Sequence, residues 1–263
     1  MSAHVSPTPA KQAMNYDGLE RAYWTSQTER VAALRDKINA LSTPTVGRTV
    51  PGDEDLAIGE GRRLHMAVMF LDISNFSQRP SGAPDEQDML LRVLNFFFSE
   101  MIKIAEDYGG TVEKNTGDGL MAYFEDASGT TAENGVKRAV ACSLTMMAAN
   151  AHLIRPVLLA TPVPELQYRT AIDYGPVTVA RLGAPRRFNA NVAIGATANF
   201  ASKMLSKARP GDIVLGASAR EQLPATWQIL YTELATTDTG WVYRATGKPY
   251  PLYRYTGRWA NLV

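Results

Sequence analysis

Two aspartates stand where a chain can put a carboxylate at the end of a strand. Asp72 closes the apolar run "LHMAVMFLDI" and is followed by Ser-Asn, while Asp118 sits between two glycines in "EKNTGDGLMAYF". Turn chemistry is enough to explain Asp118 alone, since Asp-Gly is a common hairpin bend. Brought close together, two carboxylates repel unless cations lie between them, and hard cations such as Mg²⁺ or Mn²⁺ prefer oxygen ligands. Which chemistry applies depends on whether the fold makes the two acids neighbours.

The elements around them argue that it does. "LHMAVMFLDI" reads as a buried strand, and residues 85–108 as a long amphipathic helix closed by Gly109-Gly110. Thr111 to Thr116 and Leu120 to Phe124 form a hairpin around Gly117-Asp118-Gly119. A second long helix is expected over residues 131–154, then "LQYRTAIDYGPVTVARLGA" as a strand pair and a short helix over 196–208. "DIVLGA" and "WVYRATGKPYPLYRYT" supply the last strands. That order is an α+β fold with a ferredoxin-like βαββαβ core and extra C-terminal strands. In it the first strand is expected to pair with the strand that begins the hairpin, so that Asp72 and Asp118 converge.

Composition sets the outer bounds. The chain has 263 residues, 45% hydrophobic and 20% charged, which suits a domain with a real core. A net charge of +1 gives no electrostatic pull toward nucleic acid or an anionic membrane. The one cysteine, Cys142, excludes an internal disulfide and reads as a small buried residue, in keeping with a reducing cytoplasm. No signal peptide is evident, and no apolar run reaches the roughly 18 residues of a membrane span. Residues 1–61 read as an N-terminal extension: a polar, disordered start, an amphipathic helix over 16–41 carrying Leu19, Tyr23, Val31, Leu34, Ile38 and Leu41, then a linker over 42–61. The helix is expected to pack on its own domain, which occupies residues 62–263.

Four segments, "FLDISNFS", "EKNTGDG", "YRTAIDYG" and "IGATANFASK", resemble the class III nucleotidyl cyclase catalytic domain in order and spacing. The resemblance implies two metal ions, Mn²⁺ or Mg²⁺, held by Asp72, Asp118 and the backbone carbonyl of Ile73. It implies that Asn75, Phe76 and Ser77 offer backbone N–H groups to the triphosphate, with Lys248 of "ATGKPYPLY" contributing a cation. Asn199 matches the family's ribose-orienting Asn. Lys203, one helical turn later, stands at the transition-state Arg position, keeping the charge and losing the bidentate fork. Because the family divides these groups between subunits, a two-fold homodimer with two composite sites is implied.

The base pocket departs from the family. Lys114, four residues before Asp118 and on the same face if the strand alternates, matches the base-reading lysine. Its partner position, seven residues before Asn199, is Val192, which accepts no hydrogen bond from an exocyclic amine. A lone donor suits uracil, whose edge offers two carbonyl oxygens, although Asn189 and Asn191 stand near enough to supply an acceptor for CTP or ATP. The chain also resembles the stand-alone pyrimidine cyclases of bacterial Pycsar anti-phage defence, which implies UTP as substrate and cUMP as product. Other readings are an adenylate cyclase or a catalytically dead nucleotide-binding module. Retention of Asp72, Asp118 and Asn199 weighs against the dead module, and "NTGDGL" is not the hairpin of a diguanylate cyclase.

Overall fold

The computed structural model describes residues 16–39, 61–115, 117–126, 134–160, 165–183, 189–235, 239–243 and 246–260. The expected disorder of residues 1–15 and the linker up to residue 60 lie outside them. Helix α1 spans Arg21–Asn39, and strand β1, Gly61–Ile73, opens the sheet. After a 3₁₀ turn at Phe76–Gln78 come α2 (Pro84–Asp107), β2 (Thr111–Asn115), β3 (Gly119–Glu125) and α3 (Gly135–Ala149). A π turn at Asn150–Ile154 and the short α4 (Arg155–Leu158) lead to β4 (Tyr168–Gly183) and β5 (Asn189–Ile194). The chain ends in α5 (Ala196–Met204), β6 (Ile213–Gly216), α6 (Ala217–Gln222), α7 (Ala225–Gln228), β7 (Tyr231–Leu234) and β8 (Leu252–Tyr255).

Strand order is β2-β3-β1-β4-β6-β8-β7, with β5 also paired to β4. The first four strands are the ferredoxin-like core expected from the element order. Three details differ from expectation. β1 pairs with β3, the second strand of the hairpin, and β2 lies at the edge. The second long helix gives way to the π turn after Ala149. "YRTAIDYGPVTVARLG" is one 16-residue strand, because its pairing with β1 runs unbroken through Gly175 and Pro176.

Helices α2 and α3 cover one face of the sheet and build the main core from Met69, Leu71, Phe97, Met101, Phe124 and Cys142. Pro84 opens α2 and the Glu86 carboxylate reaches back to the Ala83 N–H, satisfying a donor that the helix start leaves free. Gly109, at φ 71°, ends it in the left-handed conformation. Burial pushes the Cys142 thiol well up, so it behaves as a core residue. Helix α5 lies on the opposite face against Met66, Val68 and Val177.

Helix α1 does pack on its own domain. Val31 is buried, Tyr23 and Leu34 are partly so, and Arg30 donates from Nε and Nη2 to both oxygens of Glu100 at 3.0 Å. Glu100 is fully buried on α2, and desolvation raises its pKa despite Arg30. Removing the partner of a buried charge costs about 3–5 kcal/mol, whereas an exposed pair contributes about 0–1 kcal/mol. Arg30→Ala should therefore lower the urea midpoint sharply. Lys103→Ala, which removes a half-exposed lysine and leaves Asp107 still bonded to the Tyr23 hydroxyl and beside Arg30, should barely move it. Equal shifts would show that the Arg30 bridge does not staple α1 to the domain.

Candidate active site

Asp72 is the penultimate residue of β1, opposite Gly119 of β3 and Arg169 of β4. The backbone N–H of Ile73 donates to the carbonyl of Asp118 at 2.8 Å. Asp118 thus sits one step outside the ladder, at the same end of the sheet as Asp72. The hairpin bend, with Gly117 at φ 94°, puts it there. The structure brings together the two acids that the sequence singled out, through β3 instead of β2.

Arg169 was not anticipated. Its Nε and Nη2 donate to Asp72 Oδ2 at 2.9 and 2.8 Å, and its Nη1 donates to the Ala208 carbonyl at 3.2 Å. The strand register held the signal, because an antiparallel β4 places Arg169 directly beside Asp72. Both guanidinium contacts fall on one oxygen. Asp72 Oδ1 and the Asp118 carboxylate have no hydrogen bond or ion pair among the described residues. No cluster of three or more His, Cys, Asp or Glu side chains suited to a metal occurs among them either. A cation at this end would take two carboxylates, the Ile73 carbonyl, water and substrate oxygens. That donor set fits Mg²⁺ or Mn²⁺, which usually take one or two carboxylates and complete their shell with water and phosphate.

The chain leaves β1 through a tight loop. The Ser74 N–H donates to the Gln167 carbonyl at 2.7 Å, and Asn75 adopts φ 57°, ψ 29°, the one non-glycine residue with positive φ among those described. Asparagine tolerates this conformation better than most side chains. The 3₁₀ turn follows, with Phe76 packed on the core and Ser77 exposed. A left-handed residue followed by right-handed ones turns successive N–H groups toward one concavity, a geometry that binds anions.

Asn199 and Lys203 lie on the solvent face of α5, whose other face buries Thr197, Ala198, Ala201 and Met204. Gly175 permits the close approach of this helix: a Cβ there would meet Thr197 Oγ1 at 2.7 Å. Neither the Asn199 nor the Lys203 side chain has a protein partner among the described residues. Lys248 is exposed in the segment between β7 and β8.

The two expected base-reading positions are not neighbours within one chain. Lys114 faces Met121, which faces Phe70 of β1; Val192 faces Ala180, which faces Gly61 of β1. These levels are nine residue steps apart on β1, roughly 30 Å along the strand at about 3.3 Å per residue. The plain alternation assumed for Lys114 also fails, because a bulge shifts the register between Val112 and Lys114. The side chains of Lys114, Asn189 and Asn191 lie outside the described set, and Val192 is half-buried.

This architecture is that of known cyclases. It is similar to the crystal structure of a guanylyl cyclase, with a TM-score of 0.63 and 21% identity over 77% of this chain and 96% of that one. It is similar too to the adenylyl cyclase CyaB from P. aeruginosa, with a TM-score of 0.61 and 26% identity over 78% of this chain and 100% of that one. Residues 61–239 match the adenylate and guanylate cyclase catalytic domain, and the chain belongs to that family. An uncharacterized protein of Mycobacterium tuberculosis is 28% identical over 209 residues, 76% of this chain and 36% of that protein. The chain thus spans about a third of the length of the curated relatives it matches. No helix among the described residues is long and apolar enough to cross a membrane.

Proposed function

We propose that this cyclase-family chain converts a nucleoside triphosphate, UTP in first place, to the 3′,5′-cyclic nucleotide and pyrophosphate. The observation that carries the reading is the pair of acids at one sheet end, Asp72 and Asp118, with carboxylate oxygens unpaired among the described residues and an anion-ready loop beside them. Two divalent cations held there would activate the ribose 3′-hydroxyl and neutralise charge on the triphosphate. Asp72, Asp118 and the Ile73 carbonyl hold that charge in place. Backbone N–H groups of Asn75, Phe76 and Ser77 receive the phosphates, and Arg169 fixes the Asp72 carboxylate. The 3′ oxygen attacks the α-phosphorus as it loses its proton, and the bond to the β-phosphate bridging oxygen breaks. Asn199 orients the ribose, while Lys203 and Lys248 meet phosphate charge.

A second copy of the chain supplies the last three residues in this reading. The solvent face of α5 must be met from outside, and the sheet face around it leaves Leu64, Phe70, Val179 and Ala193 only partly buried.

Preference for UTP rests on Val192, whose side chain accepts no hydrogen bond. A base amine buried without a partner costs about 1–3 kcal/mol, or roughly ten- to a hundredfold in catalytic efficiency. Purified protein given ATP, GTP, CTP and UTP with Mn²⁺ should therefore yield mainly cUMP by mass spectrometry. Val192→Asp should raise turnover of ATP or CTP relative to UTP. A wild-type preference for ATP would instead make this an adenylate cyclase, a reading that the likeness to the P. aeruginosa enzyme favours. No product from any nucleotide would favour a dead binding module. The cellular role we propose for cUMP is a second messenger in anti-phage defence, so that phage resistance conferred by the wild type is lost with Asp118→Asn.

A further inference from the structure

The segment that carries Lys248 is tied to the core at one buried acid. Asp173, on β4, is 2% exposed, and its Oδ1 accepts from the Tyr250 hydroxyl at 2.7 Å. The same hydroxyl accepts from the Ser218 N–H at the start of α6, at 3.0 Å. Gly216 makes the room: a Cβ there would lie 2.3 Å from Asp173 Oδ1 and 2.8 Å from the Tyr250 hydroxyl. Tyr250 in turn organises residues 241–243 and 246–250. Its N–H donates to the Trp241 carbonyl at 2.8 Å, and the Tyr243 N–H donates to the Lys248 carbonyl at 2.8 Å. Phe200 of α5, next to Asn199, stacks on the Tyr250 ring at 5.6 Å and 14° and touches Trp241 at 5.7 Å, while Tyr243 packs edge-on to Tyr250 at 5.0 Å. One tyrosine therefore joins the Lys248 segment to the helix bearing Asn199 and Lys203.

We propose that Tyr250, anchored on Asp173, is a positioning residue: it holds the Lys248 segment against α5 so that Lys248 meets the triphosphate beside Asn199. This rests on the cyclase reading above for the role of Lys248. The anchor itself rests on geometry alone.

The anchor is also sensitive to pH. Burial pushes the Asp173 carboxyl up to about 6, while hydrogen bonds from the Tyr250 hydroxyl and the Tyr174 N–H limit the rise. Tyr250 and Tyr243 are the titratable groups that face it, and no basic side chain is paired with it among the described residues. Above about pH 6 Asp173 is ionised and the Tyr250 bond is charge-assisted; below, the carboxyl takes up a proton and the bond weakens. Substrate binding through Lys248 should weaken with it.

Two measurements on the full chain test this. In Tyr250→Phe, which keeps the ring packing, amides of residues 241–250 should exchange hydrogen faster while those of α3 stay unchanged. In the same variant KM for the nucleoside triphosphate should rise about tenfold with kcat within about threefold. Asp173→Asn, which keeps the shape without the titration, supplies the pH control. The ratio of wild-type KM to Asp173→Asn KM should climb as pH falls from 7 to 5, and the titration of the substrate itself cancels in that ratio. Unchanged exchange in Tyr250→Phe overturns the anchor, and faster exchange with unchanged KM overturns its link to Lys248. Exchange needs no turnover, so a wild type that cyclises nothing would sink the cyclase reading while the anchor is still judged.

Discussion

Asp72→Asn and Asp118→Asn should each lower cyclic nucleotide formation about a thousandfold or more, with the protein still folded. Asparagine keeps the size of the side chain and one oxygen, so what it removes is the negative charge that holds a divalent cation. Folding should survive because both carboxylates lie at a partly exposed strand end. The Asp72 and Arg169 side chains keep 23% and 28% of their surface exposed, so water reaches both and offsets part of the lost ion pair. Arg169 also keeps its bond to the Ala208 carbonyl when Asp72 is neutralised. The check is product by mass spectrometry with Mn²⁺ and Mg²⁺, beside a thermal melt. Either variant retaining a tenth of wild-type activity would defeat the reading in which both acids hold metal.

The acids were legible because each carries a local signature, an apolar strand ending in Asp and a Gly-Asp-Gly bend. Which hairpin strand faces β1 was misread, although the two strands differ in composition. The residues of β3, "GLMAYFE", are buried up to the last, whereas β2, "TVEKN", starts exposed and is charged, so β3 belongs inside the sheet. The strand pair expected around Gly175-Pro176 came from giving that dipeptide its usual weight as a turn. In the fold, β6 pairs with β4 only up to Ile172 and β5 only from Thr178, so Pro176 falls where β4 has β1 alone as neighbour. An edge is where a strand tolerates proline. Arg169 was hidden for another reason. A charged residue near a strand start says little until the register puts it beside Asp72. The bulge ahead of Lys114 likewise depends on pairing with β3, which no local pattern in β2 reveals.

The same geometry sets the second large effect, which separates a site built by two chains from one built by a single chain. Asp118→Asn and Asn199→Ala should each be nearly inactive alone, yet a mixture should recover about a quarter of wild-type activity after subunit exchange. In a composite dimer, one site of the mixed pair carries both substitutions and the other carries neither. Equal mixing makes about half of the dimers mixed, and each of those has one intact site of two. The motivating observation is the division of the residues within one chain: Asp72 and Asp118 share a sheet end, while Asn199 and Lys203 face solvent on α5 with no side-chain partner among the described residues. Asp118→Asn mixed with Asp72→Asn is the control. Those two acids belong to the same half of the site, so every site in the mixed dimer carries one substitution and no activity should return. Recovery in the control as well would mean that the preparations contain wild-type protein. No recovery in the test pair, with exchange verified by differently tagged chains, would place the Asn and both acids of each working site on one chain.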